Sequence, residues 1–231
     1  MPCACCTDGT DKAEISTEAI FSTMELISSQ IKETASSISK ESVDLMLTLL
    51  MLCKENGNCI FVAGAGRSGL MGRAFAMRLM HLGFKAYVVG ETVTPAVREG
   101  DLLIAISGSG STKSIVSVAE KCQAIGAFVI SLTSKEDSVL SDFSSVNVVL
   151  PSKSNADKPD EEQSGTDEKA EEISSDDDLS VDASCRRSVL MLMGTAFEIM
   201  TLIFTDAVVL NLTYVIGASE DDMKARHANT E

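Results

Sequence analysis

The chain of 231 residues has no tryptophan, two tyrosines, two histidines and four prolines. Few aromatics and many small residues suit helices packed closely on a sheet. Basic residues are scarce too: 19 Lys and Arg face 34 Asp and Glu, for a formal net charge of −15. That argues against nucleic acid and anionic membrane surfaces, whose phosphates reward Lys and Arg. It leaves a phosphorylated metabolite open, because a ring of backbone N–H groups can outweigh the global field. The N-terminus lacks a basic stretch followed by an apolar one, so no secretory signal is expected. The seven cysteines form no spaced framework. Cys53, Cys59, Cys122 and Cys185 are scattered through apolar or helical stretches and read as reduced thiols of a cytoplasmic protein. Cys3, Cys5 and Cys6 crowd the start, but no second Cys/His cluster completes a metal set, so no metal is expected.

At this length and 45% hydrophobic content, one well-buried core is expected. Residues 1–13 read as a flexible tail and 14–231 as one domain. Apolar residues at Ile20, Met24, Ile27 and Ile31 carry helical spacing from Ile15 to about Ser39, and a second helix runs from Val43 to Lys54. Short apolar runs then alternate with helices: Cys59–Ala63, Lys85–Val89, Leu102–Ile106, Phe128–Leu132 and Val146–Leu150 read as strands. The helix after the first strand is expected from about Leu70 to Leu82. Such alternation predicts right-handed crossovers and an α/β fold with a parallel sheet. From Ser152 to about Asp182 the pattern stops. That segment is crowded with Asp, Glu, Ser and Lys, and its composition predicts a disordered acidic loop. A long helix, about Ala183 to Val215, resumes the fold. Its apolar stretch Val189–Ile216 also holds Glu198 and Asp206, so a buried helix is expected rather than a membrane span.

Two loops carry the chemistry. Gly64-Ala65-Gly66-Arg67-Ser68-Gly69 fits G-x-G-x-x-G between a strand and a helix, the dinucleotide fingerprint, with Glu91 near the place of a ribose-binding acid. The third strand ends in Ser107-Gly108-Ser109-Gly110-Ser111-Thr112. Hydroxyls, N–H groups and a helix N-terminus in one ring suit a phosphate monoester, and a dinucleotide fold does not call for them there. Ser68 sits on the same sheet edge. Arg67 reads as a surface charge.

Glu198 is the candidate base, since a carboxylate on an apolar helix is costly unless solvated or paired. Gly194, Thr195, Thr201 and Thr205 lie at helical offsets from it and form a small polar stripe that would line a pocket. Of the two histidines, His81 ends an apolar helix and reads as packing. His227 lies in Arg226-His227-Ala228-Asn229 near the end of the sequence.

On these residues, above all the two glycine-rich loops, Gly194-Thr195-Ala196-Phe197-Glu198 and the closing Arg226–Asn229, the sequence resembles the sugar isomerase (SIS) domains, and within them the 6-phospho-3-hexuloisomerases. The resemblance implies a single SIS-type domain with a Rossmann-like three-layer sandwich around a five-stranded parallel sheet. It implies isomerisation of a phosphorylated hexulose to fructose 6-phosphate without a cofactor, in a homotetramer with composite active sites. By this likeness Ser68 and Ser107 to Thr112 bind substrate, Glu198 accepts the proton, and His227 enters a neighbouring subunit's site. Ser111, Leu192 and Ile199 depart from the family pattern.

Overall fold

The computed structural model describes residues 17–151 and 195–229. The expected N-terminal tail and acidic loop lie outside these residues. Among the described residues the α-helices and strands follow in the order α1 Thr17–Ser37, α2 Lys40–Asn56, β1 Cys59–Gly64, α3 Gly66–His81, β2 Lys85–Val88, β3 Leu102–Ile106, α4 Lys113–Ile125, β4 Phe128–Thr133, β5 Val146–Val149, α5 Thr195–Ile216 and α6 Glu220–Ala225, with a short 3-10 turn at Ser141–Phe143. Local chemistry sets several of the boundaries. Ser39 caps α2 by accepting from the Ser42 N–H, and Gly57 ends it in the left-handed region at φ 68°. Gly126 ends α4 in the same way at φ 92°.

The five strands are all parallel, in the order β2-β1-β3-β4-β5. Period-2 alternation then divides the apolar side chains between two layers. Ile60, Val62, Leu102, Ile104, Ile130 and Val148 face a core shared with Met46 and Leu50 of α2, Phe75 and Leu79 of α3, and Val208 and Leu212 of α5. Phe61, Leu103, Ala105 and Val129 face the other way, onto Ile115 and Ala119 of α4. Every side chain of β3 is buried, as befits a central parallel strand covered on both faces.

Two expectations are corrected. The helix after β1 begins at Gly66, not Leu70, so Ser68 stands in its first turn rather than in a loop. The reason is a close approach between β1 and α3. A Cβ on Gly69 would lie 2.6 Å from the Gly64 carbonyl oxygen, and one on Gly64 would lie 2.9 Å from the Gly69 nitrogen. Glycine at both positions lets the helix start directly against the strand end, which is what this fingerprint does here.

The second correction concerns α5. By length and composition it is apolar enough to cross a membrane, and only about a third of its apolar stretch is buried. One face packs on α3. Leu202, Ile203, Leu210, Tyr214 and Val215 are exposed, so the expected burial is met on one side only.

Candidate active site

β1 and β3 are neighbours in the sheet, but the helices that follow them cover opposite layers. The strand order reverses between them, and ligands of open α/β sheets bind in the crevice beyond such a point. A cleft of about 270 Å³ opens there. Ser68 comes from the first turn of α3, and Ser107, Gly108, Ser109 and Thr112 come from the turn after β3. Phe197 and Glu198 close it from the first described turn of α5. Gly110 and Ser111, expected to bind substrate, belong to the same turn but do not line the cleft.

The turn is built to hold an anion. The Ser107 N–H donates to the Leu132 carbonyl at 3.0 Å, which fixes the loop to β4. The Ser107 and Thr112 hydroxyls lie 2.9 Å apart and share a hydrogen bond. Thr112 stands at the N-cap of α4 without capping it through its side chain, and its hydroxyl pairs instead with Ser107, both residues lining the cleft. α3 and α4 thus both start at the cleft, and their positive ends favour negative charge there. Gly108 has no room for a side chain: a Cβ would meet the Phe197 ring at 2.9 Å. That contact brings the Glu198 turn of α5 alongside the loop.

Glu198 is almost fully buried, with its side chain 10% exposed. Its Oε2 lies 3.2 Å from Arg67 Nη1 but makes no hydrogen bond among the described residues. Burial pushes its carboxyl above the usual range, and the Arg67 charge pulls it partly back. Arg67 is therefore not a plain surface charge. Its Nη1 also donates to Thr195 Oγ1 at 3.0 Å, tying the first turn of α3 to the first turn of α5.

The polar stripe read around Glu198 does not line the cleft. Thr201 and Thr205 are buried, and their hydroxyls donate to the Phe197 and Thr201 carbonyls, one turn back on their own helix. Gly194 lies outside the described residues. Asp206 pairs with Arg78 at 3.8 Å.

His227 is not in this chain's own cleft. Its ring stacks on buried His81, with centroids 5.1 Å apart. Arg226 fixes that end by donating to the His81 carbonyl at 3.2 Å. His81 closes α3 while Ser68 stands in its first turn, and at 1.5 Å per residue the helix separates the two by about 20 Å.

Other features fall to structural roles. Glu91, the rival ribose acid, is ion-paired with Arg73 of α3. Cys53, Cys59 and Cys122 are free, and burial pushes their thiols up, that of Cys53 to about 11. Among the described residues no three His, Cys, Asp or Glu side chains gather as a metal set.

With this geometry in view, the likeness to known proteins has a physical counterpart. The SIS domain model matches residues 51–170. An uncharacterized protein of Aeropyrum pernix is 40% identical over 92% of each chain. The 3-hexulose-6-phosphate isomerase of Bacillus subtilis is 34% identical, covering 89% of this chain and 95% of its own. A solved structure from Methanococcus jannaschii, which infers a molecular function of 3-hexulose-6-phosphate isomerase, superposes with a TM-score of 0.68 at 31% identity. It covers 91% of this chain and 99% of that one. The chain therefore belongs to the SIS domain family and, by identity over nearly its whole length, to the 3-hexulose-6-phosphate isomerase family within it.

Proposed function

We propose that this protein is a sugar-phosphate isomerase that interconverts D-arabino-3-hexulose 6-phosphate and D-fructose 6-phosphate. The observation that carries the proposal is one cleft holding both parts of the chemistry. A buried carboxylate faces a hydroxyl-lined turn at two helix N-termini. The turn takes the phosphate, with Ser68, Ser107, Ser109 and Thr112 as its side-chain partners. Glu198 takes the proton from C2 of the 3-ketose, leaving a 2,3-enediolate with its charge on O3. It returns a proton to C3 while the hydroxyl proton passes from O2 to O3, and the carbonyl then stands at C2. No hydride moves, so no nicotinamide is called for. A carboxyl raised by burial is a stronger base than an exposed one, which suits abstraction from carbon.

In this proposal the protein works in the cytoplasm as a homotetramer, in formaldehyde fixation through ribulose monophosphate or its reverse. The exposed apolar side of α5 supports self-association, since large uncovered apolar patches mark interaction surfaces. His227 lies too far from its own cleft to act there, and so would serve a neighbour's, shuttling protons between the two oxygens near neutral pH.

The test is the appearance of fructose 6-phosphate from D-arabino-3-hexulose 6-phosphate, beside calorimetric binding of fructose 6-phosphate. Turnover supports the proposal. Binding without turnover would make the protein a sugar-phosphate sensor, and neither would overturn the assignment of the cleft.

A further inference from the structure

The cleft does not explain what holds the anion-binding turn in shape. A peptide unit has two poles. An anion is attracted to the N–H and repelled by the carbonyl, so a glycine-rich turn binds phosphate only while its carbonyls face away. Glycines make that orientation soft, because they impose little on the backbone. Something outside the cleft must fix it.

The segment after β4 does so. The Gly108 carbonyl accepts twice from Ser134, from its N–H at 3.0 Å and from its hydroxyl at 2.6 Å. The Gly110 carbonyl accepts from the Leu140 N–H at 2.9 Å. A Cβ on Gly110 would fall 2.3 Å from Ser138, so the segment rests directly against the turn. It is itself braced. Ser138 and Ser141 exchange hydrogen bonds, with the Ser141 hydroxyl donating to the Ser138 carbonyl at 2.6 Å. Asn147 of β5 donates to the Glu136 carbonyl at 3.0 Å.

In a trans peptide the carbonyl and the following N–H point in opposite directions. Holding the Gly108 carbonyl toward Ser134 therefore turns the Ser109 N–H away from Ser134. Ser134 does not line the cleft, whereas Gly108 and Ser109 do. Among the described residues nothing accepts from the Gly108 or Ser109 N–H.

We propose that Ser134 is a positioning residue for phosphate binding: its double hydrogen bond to the Gly108 carbonyl keeps that carbonyl out of the cleft and aims the Ser109 N–H at the substrate's phosphate. This rests on the assignment of the cleft to a sugar phosphate. Ser134 touches no reacting atom. Its effect belongs to binding in the ground state and transition state alike, so it falls on KM and leaves kcat nearly unchanged.

The experiment measures KM and kcat for Ser134→Ala and Ser134→Thr, with calorimetric binding of fructose 6-phosphate to each. The alanine variant loses one of the two bonds. KM and the dissociation constant are expected to rise about tenfold, kcat to stay within threefold, and the threonine variant to recover most of the loss. Equal binding by wild type and alanine variant overturns the proposal while leaving the assignment of the cleft intact. Failure of the wild type to bind any sugar phosphate overturns that assignment instead. A fall in kcat alone makes Ser134 something other than a positioning residue. If the alanine variant does not fold, the wild type decides: the amide resonance of Ser109 shifts downfield on titration with inorganic phosphate, and a silent Ser109 amide refutes the proposal.

Discussion

Ser107 is 3% exposed, and replacing it by alanine removes a hydroxyl hydrogen-bonded at 2.9 Å to Thr112 in the free protein. A hydrogen bond to a charged group contributes roughly 1.5–3 kcal/mol, so losing the contact to a phosphate oxygen raises KM by about 10- to 150-fold. Thr112→Val deletes the other half of the pair. The two hydroxyls are not independent, because each orients the other before substrate arrives. The double variant should therefore fall short of the product of the single effects by about 2- to 10-fold, the signature of a coupling near 1 kcal/mol. Neither hydroxyl gains charge during proton transfer, so kcat should stay within a few-fold. Initial rates against substrate concentration, with calorimetry using fructose 6-phosphate, read all four corners of the cycle. Unchanged KM in both single variants would remove the phosphate from this turn. Strictly multiplicative effects would break the claim that the pair acts as a unit.

Four further outcomes are expected. Glu198→Gln should lower kcat by roughly 100- to 10,000-fold, as loss of a general base does, with fructose 6-phosphate binding kept within a few-fold; near-native turnover would make the carboxylate structural. The same variant tests linkage. A carboxyl whose folded pKa is raised lends stability below its unfolded pKa and loses it as pH rises through the folded one, so urea melts should find the glutamine protein more stable than wild type near pH 7 and the gap closed below pH 4. Arg67→Met removes the charge that holds the Glu198 carboxyl down, so the acid limb of the kcat/KM profile should move to higher pH, and a limb moving lower would refute the ion contact. Mixing inactive Glu198→Gln with inactive His227→Ala subunits should restore part of the activity if clefts are shared between copies; no recovery despite proven exchange would confine His227 to its stack on His81.

Much of this molecule can be read along the chain. Short apolar runs and helical spacing locate the strands and most helices, because burial on both sheet faces leaves near-continuous apolar runs such as Leu102–Ile106. Ser107 to Thr112 announces itself by composition, and Glu198 by being charged among apolar neighbours. What pairs distant residues is not written locally. Arg67 and Glu198 meet across 131 positions only because α5 docks on α3. The start of α3 at Gly66 is hidden, since glycine is a poor helix former and the need for Gly69, where a Cβ would lie 2.6 Å from the Gly64 carbonyl oxygen, shows only in the fold. Thr201 and Thr205 mislead for the opposite reason: their hydroxyls are spent on their own helix, which sequence offsets do not reveal. Ser134 gives no signal, being one serine in a polar turn whose partner is a backbone carbonyl.

The placement of Glu198 on α5 has a consequence for how the protein is made. All five strands and both glycine-rich turns precede residue 151, whereas the carboxylate follows residue 194. A ribosome therefore delivers the parts of the phosphate cradle first, and chains fold from the N-terminal side as they emerge. One layer of the sheet, covered until then only by α2 and α3, still waits for Phe197, Met200, Val208 and Leu212. When α5 arrives, the event that seals the oily layer is also the event that installs the base. Maturation and catalytic competence become a single step, and a chain that stalls before it holds the binding residues without the chemistry.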